Sequence, residues 1–194
     1  MSSPMTEIQA HLQRPMRADA RRNYEKLVAS AREVFTEEGS AASLEGVAER
    51  AGVGIGTLYR HFPTRQALLE AVYADEVDAI ARSARELSDQ EPWDALVEWV
   101  HRYVGFAATK RALMDALLET APDSDVLMIC RTALQEAGDE LIGRGQQAGV
   151  VRPDVDFIDV GRMVSQIAVA PHADADQKER MLQILLDGLR ARSA

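Results

Sequence analysis

The sequence predicts an all-α chain in which a small three-helix unit precedes a larger helical domain, and three observations lead to that reading. Apolar residues recur at helical spacing through nearly the whole chain after residue 21. No alternating run bounded by turn residues suggests a strand. Two short amphipathic segments joined by a glycine-containing turn lie at about 43–62, the arrangement of a helix-turn-helix.

Residues 1–20 carry Pro4 and Pro15 and little apolar periodicity, so a disordered arm is expected there. From Arg22 to Glu38 the residues Leu27, Val28, Ala31, Val34 and Phe35 share one helical face, and Gly39 stops the helix. Ser43 is placed to cap a short helix carrying Leu44, Val47, Ala48 and Ala51 inward, which Gly52 closes. A third short helix, Ile55 to Phe62, follows. Pro63 and Thr64 break the chain, with Thr64 placed to cap a long helix towards Arg85. Further helices are expected from Pro92 to about Lys110, Ala112 to Thr120, Asp123 to Gly149, about Asp156 to Ala170 and about Ala175 to Arg192. The domain reading is an arm over 1–20, a helix-turn-helix domain over 21–66 and a helical domain over 67–194.

The chain of 194 residues has a formal charge of −9, which at first argues against nucleic acid, because phosphate binding draws on lysine and arginine. The distribution qualifies that. Residues 1–65 hold 9 Lys/Arg and 8 Asp/Glu, leaving 13 and 23 for residues 66–194. A near-neutral segment can present a basic face if its carboxylates point elsewhere, whereas an acidic body resists lying along DNA. One cysteine, Cys130, cannot form an internal disulfide and is expected to be a small buried hydrophobe. No leader segment or run of about 20 apolar residues is seen, so a cytoplasmic protein with no membrane partner is expected.

In a helix-turn-helix the second helix lies in the major groove. At about 100° per residue, Ile55, Leu58 and Phe62 are expected inward, with Gly56 and Arg60 nearly opposite and Thr57 and Tyr59 flanking them. An arginine there can pair with guanine O6 and N7, threonine can meet a base edge or a thymine methyl, and glycine lets the backbone approach closely. Tyr59 suits phosphate.

The stretch from Leu44 to Leu69, with Ala51-Gly52-Val53 ahead of Gly56-Thr57-Leu58-Tyr59-Arg60-His61-Phe62 and Arg65 beyond, resembles the tetracycline-repressor-like (TetR) family of bacterial regulators. The resemblance is strongest over residues 22–73. It implies a ligand-responsive, dimeric repressor released from a palindromic operator. It also implies that Thr57 and Arg60 lie near bases, with Ser43, Tyr59, His61 and Arg65 near phosphates. The chain departs from many members at Gly54, where they carry serine; glycine is a tolerated cap and keeps the turn, but one possible phosphate contact is missing.

Beyond residue 73 the resemblance implies a helical domain for dimerisation and small-molecule binding. The helix from Pro92 is apolar nearly all round, with Trp99, Tyr103 and Phe106 on one stripe. A site for a small apolar or amphipathic inducer is expected among Trp99, Tyr103, Phe106, Met114, Met128, Met163 and Gln166, with His101 as a further polar group. The last two helices, through Val160, Val164, Ile167, Leu182, Leu185 and Leu189, are the expected homodimer interface. An enzyme is not expected, because His11, His61, His101 and His172 lie far apart and no serine or cysteine has a supporting motif. No His/Cys/carboxylate run has metal-ligand spacing, and neither a metal nor a cofactor is expected.

Overall fold

The computed structural model describes residues 18–120 and 124–191 of the chain. Its α-helices are α1 (Ala18–Glu38), α2 (Leu44–Ala51), α3 (Ile55–His61), α4 (Arg65–Glu86), α5 (Pro92–Thr120), α6 (Asp125–Gln147), α7 (Phe157–Ala168) and α8 (Ala175–Leu189), with a 3-10 turn at Gly39–Ala41. Among the described residues the sole extended pairing is an isolated bridge between Val151 and Arg190. The all-helical reading is correct. No helix of the described residues is long and apolar enough to cross a membrane.

The helix ends follow the sequence signals. Ser43 caps α2, its Oγ accepting from Gly46 N at 3.0 Å, and Gly52 closes α2 with φ 65° and ψ 33°, the left-handed conformation glycine adopts at least cost. Thr64 caps α4 by accepting from Ala67 N at 3.1 Å. Asp156 and Asp174 cap α7 and α8 in the same way.

One expected break is absent: α5 runs from Pro92 to Thr120 without interruption through the polar residues Thr109, Lys110 and Arg111. No proline or glycine stands between Phe106 and Thr120, so the polar step shifts the apolar stripe without ending the helix. The arm expected over 1–20 lies mostly outside the described residues. Its last three residues, Ala18 to Ala20, are the first of α1.

The chain forms two compact units, the first from residues up to Asp78 together with Thr109–Arg131, the second from Ala79–Ala108 together with Thr132–Ala194. The helices α4, α5 and α6 each contribute to both.

In the first unit Leu27, Val34 and Phe35 of α1 are buried together with Val47 and Ala48 of α2, Leu58 of α3, and Leu68, Leu69 and Val72 of α4. Arg32 of α1 ion-pairs with Asp75 and Glu76 of α4. Cys130 is fully buried, as expected.

The second unit is organised around Trp99, 1% exposed, whose indole N–H donates to the Ile80 carbonyl at 3.0 Å. Tyr103 stacks on Trp99 at 5.5 Å between ring centroids, and Phe157 of α7 meets both edge-on at 5.5 Å. Phe157 reaches them because α6 has glycine at 138, where a Cβ would lie 2.2 Å from its ring.

Candidate nucleic-acid interface

The short helix α3 is held from behind. Leu58 and Phe62, 0% and 3% exposed, anchor it in the core. Tyr24 of α1 packs against Phe62 at 5.1 Å and against the His61 ring at 6.2 Å. Burial, and then the charge of Asp75, push the Tyr24 phenol up to about 12, so it stays neutral in this support. Arg65, at the start of α4, donates to the Ala42 carbonyl and lies over the Phe35 ring at 5.0 Å. It therefore braces the backbone just ahead of the Ser43 cap.

With that face fixed, Gly56 and Arg60 are exposed on the opposite side, as the helical step requires. Thr57 and His61 are half-buried on one flank, and Tyr59, 45% exposed, is on the other. Ile55 departs from expectation. It is 38% exposed rather than inward, because it is the first residue of α3 and no preceding helical turn covers it. Gly54 caps α3 without a side-chain bond, in extended backbone at φ −67° and ψ 144° that any residue adopts.

Glu70 of α4 accepts from Gln66 at 2.8 Å and from Ser124, one residue before α6, at 2.7 Å. The beginning of α6 is thereby tied to the early turns of α4.

The residues expected to bind an inducer are divided between the two units. Trp99, Tyr103 and Phe106 are packed together and buried, and Tyr103 Oη is 3.5 Å from Ser165 Oγ. Burial raises the Tyr103 phenol and the Ser165 bond opposes that. Met163 and Gln166 instead line an open groove of about 650 Å³ between α7 and α8, with Ile167, Met181, Ile184 and Leu185. Met114 and Met128 belong to the first unit, where Met128 is 63% exposed. His101 is on the surface of α5, bonded to the Val97 carbonyl at 2.8 Å. Phe157 and Ser165 were not foreseen, since no spacing in the sequence links them to the aromatic stripe of α5.

The expected interface residues divide as well. Val160, Val164, Leu182 and Leu189 are covered by the chain itself, at 2% exposure or less. A side chain without exposed surface makes no first contact with a partner. The apolar surface that α7 and α8 leave uncovered is Met163, 43% exposed, and Ile184, 71% exposed, with Leu185 half-buried beside them and Ile167 at the groove wall.

A short exposed helix set behind a capped helix and a glycine turn is the arrangement of a helix-turn-helix, whose second helix enters the major groove of DNA. Residues 27–72 match the bacterial regulatory proteins of the tetR family, and residues 91–191 match the C-terminal domain of SbtR-like transcriptional regulators. The chain is 38% identical to the TetR transcriptional regulator SCO0520 from Streptomyces coelicolor, with a TM-score of 0.74 and coverage of 88% of this chain and 99% of that one. It is 36% identical to a TetR regulatory protein from Mycobacterium vanbaalenii, with a TM-score of 0.72 and coverage of 91% and 99%. Over 183 residues, 91% of this chain and 93% of the relative, it is 25% identical to the HTH-type transcriptional regulator UidR of Escherichia coli. The chain belongs to the TetR family of bacterial transcriptional regulators.

Proposed function

We propose that this regulator is a cytoplasmic homodimeric repressor, released from a palindromic operator by a small apolar or amphipathic ligand. The observation that carries the DNA-reading part is the outward face of α3, where Gly56 and Arg60 are exposed and centred while Leu58 and Phe62 fix the helix from behind. In this reading Thr57 and Arg60 meet bases, and Ser43, Tyr59, His61 and Arg65 set the phosphate register. The reading domain is residues 21–66, and residues 67–194 carry ligand binding and dimerisation.

Arg60→Ala and Tyr59→Ala are expected to differ in kind. If Arg60 pairs with a guanine, its loss costs about 1–3 kcal/mol on the operator and relaxes preference at that base pair, while Tyr59→Ala weakens all sequences alike. Recovery of bound genomic fragments gives the operator, and binding to single-base variants then separates the two. An Arg60→Ala protein with unchanged sequence preference sinks the base-reading role.

Release requires a ligand that prefers a conformation in which the two reading helices no longer match successive major grooves. The continuous α4 helix and the Ser124–Glu70–Gln66 bonds support a route for that preference, since α6 also contributes to the unit containing Trp99. Linkage then makes the effect reciprocal: operator DNA weakens ligand binding about 5–150-fold. Trp99 is a natural reporter. A Trp93→Phe protein, which keeps an aromatic ring beneath the Arg190 guanidinium, isolates its fluorescence. Equal ligand affinity with and without operator removes the release mechanism.

A further inference from the structure

We propose that Ile55 is a specificity-determining residue of the reading surface, recognising thymine through its C5-methyl group in the major groove. The proposal rests on α3 being the helix that enters the groove, and adds a base identity to it.

A large apolar side chain in contact with water loses the benefit of burial, and Ile55 is 38% exposed at the first position of α3. Its two neighbours are the unusual part. A Cβ at Gly54 or at Gly56 would meet nothing within 4 Å, and neither residue has a positive φ. Neither packing nor backbone conformation within the chain calls for glycine at these positions. Glycine at 56, inside a seven-residue helix, costs about 1 kcal/mol relative to alanine. Gly54 serves as an N-cap, a place where glycine is tolerated, but the bare backbone at Gly56 beside a protruding isoleucine has no explanation inside the protein. It has one outside it, since bare backbone lets a flat surface come close beside the side chain that projects.

The surface that enters there is the edge of the base pairs, because the N-terminal residues of a recognition helix are the ones that meet base edges. Isoleucine offers no hydrogen bond. Of the groups displayed in the major groove, the thymine methyl is the one an apolar side chain can select. Tyr59, one turn along the same flank, is 45% exposed and sets the distance to the backbone through a phosphate.

The test replaces thymines of the recovered operator one at a time, symmetrically in both half-sites, by deoxyuridine, which removes the methyl and leaves pairing unchanged. Burying one such group is worth a factor of about 4 in affinity, so a replacement in both half-sites is expected to weaken wild-type binding about 15-fold at one position. Ile55→Ala is expected to bind the unmodified operator about as weakly as wild type binds that substituted one, and to show no response to the same replacement. Ile55→Val, which keeps a branched methyl face, retains part of the response. Circular dichroism establishes that each variant is folded.

The proposal is overturned if wild type and Ile55→Ala respond alike at every thymine, or if Ile55→Ala weakens all sequences equally, either of which leaves α3 as the reading helix. Absence of any sequence-preferring binding overturns the proposal together with the reading it rests on.

Discussion

Gly138→Ala is expected to destabilise the protein by about 3 kcal/mol, the upper end of overpacking costs, and to lower its Tm by about 6–12 °C. The Cβ would lie 2.2 Å and 2.3 Å from Phe157 Cδ2 and Cγ, with the ring edge at 2.9 Å. The ring cannot swing away freely, because Trp99 and Tyr103 each hold it edge-on at 5.5 Å and Phe157 is 6% exposed. Its backbone is fixed too, since Phe157 N donates to Asp139 at 2.9 Å, one residue along α6 from the glycine.

Gly143 of the same helix is the internal comparison. A Cβ there would meet nothing within 4 Å, so Gly143→Ala is expected to gain about 1 kcal/mol from helix propensity alone. Thermal melts of the two variants followed by circular dichroism separate a steric cause from a general effect of glycine replacement. Combining Gly138→Ala with Phe157→Leu should recover part of the loss, a coupling that distant, independent sites do not show. If Gly138→Ala melts with Gly143→Ala, close approach of α6 and α7 is not what requires glycine.

The same pair marks where sequence reading stops. Helical spacing sets Leu127, Leu134 and Leu141 on one face of α6, where Leu134 and Leu141 are buried and Leu127 is half-buried. Gly138 stands between Leu134 and Leu141 in that stretch and carries no mark distinguishing it from Gly143, because the difference is a ring brought by another helix. Local signals fared better. The Ser43 cap, the left-handed Gly52 and the Thr64 cap depend on a few consecutive residues, and each is found as expected. The outward placement of Gly56 and Arg60 follows from helical geometry once Leu58 and Phe62 are anchored. Ile55 escaped that logic because angle alone does not say whether a first helical residue is covered. The expected inducer residues show the larger difficulty. Aromatic and methionine side chains advertise apolar surroundings, but Met163 lies in a groove, Met128 is exposed and Trp99 is enclosed, and only three-dimensional placement separates these cases.

The α7–α8 groove leads to the largest effect expected on DNA binding. Both helices turn one apolar face into their own protomer, through Val160, Val164, Leu182, Leu186 and Leu189. They also leave Met163 and Ile184 open to solvent, with Leu185 and Met181 half-buried between. A helix apolar on two sides is one buried on two sides, and a second copy of the pair would supply the missing cover in an isologous interface. Leu185→Asp puts a carboxylate at that surface, and two-fold symmetry makes each substitution count in both protomers. Because Leu185 is only half-buried in the protomer, the fold should survive. Sedimentation is expected to give a monomer at micromolar concentration where wild type gives a dimer. Operator affinity should then fall by about 10²–10⁴, the advantage of presenting two linked reading helices to two half-sites. Leu186→Ala is the contrasting change. Leu186 is 2% exposed and faces the protomer core, so its truncation should cost about 2–5 kcal/mol of stability while the protein stays dimeric. A Leu185→Asp protein that remains dimeric with full operator affinity would move the interface elsewhere.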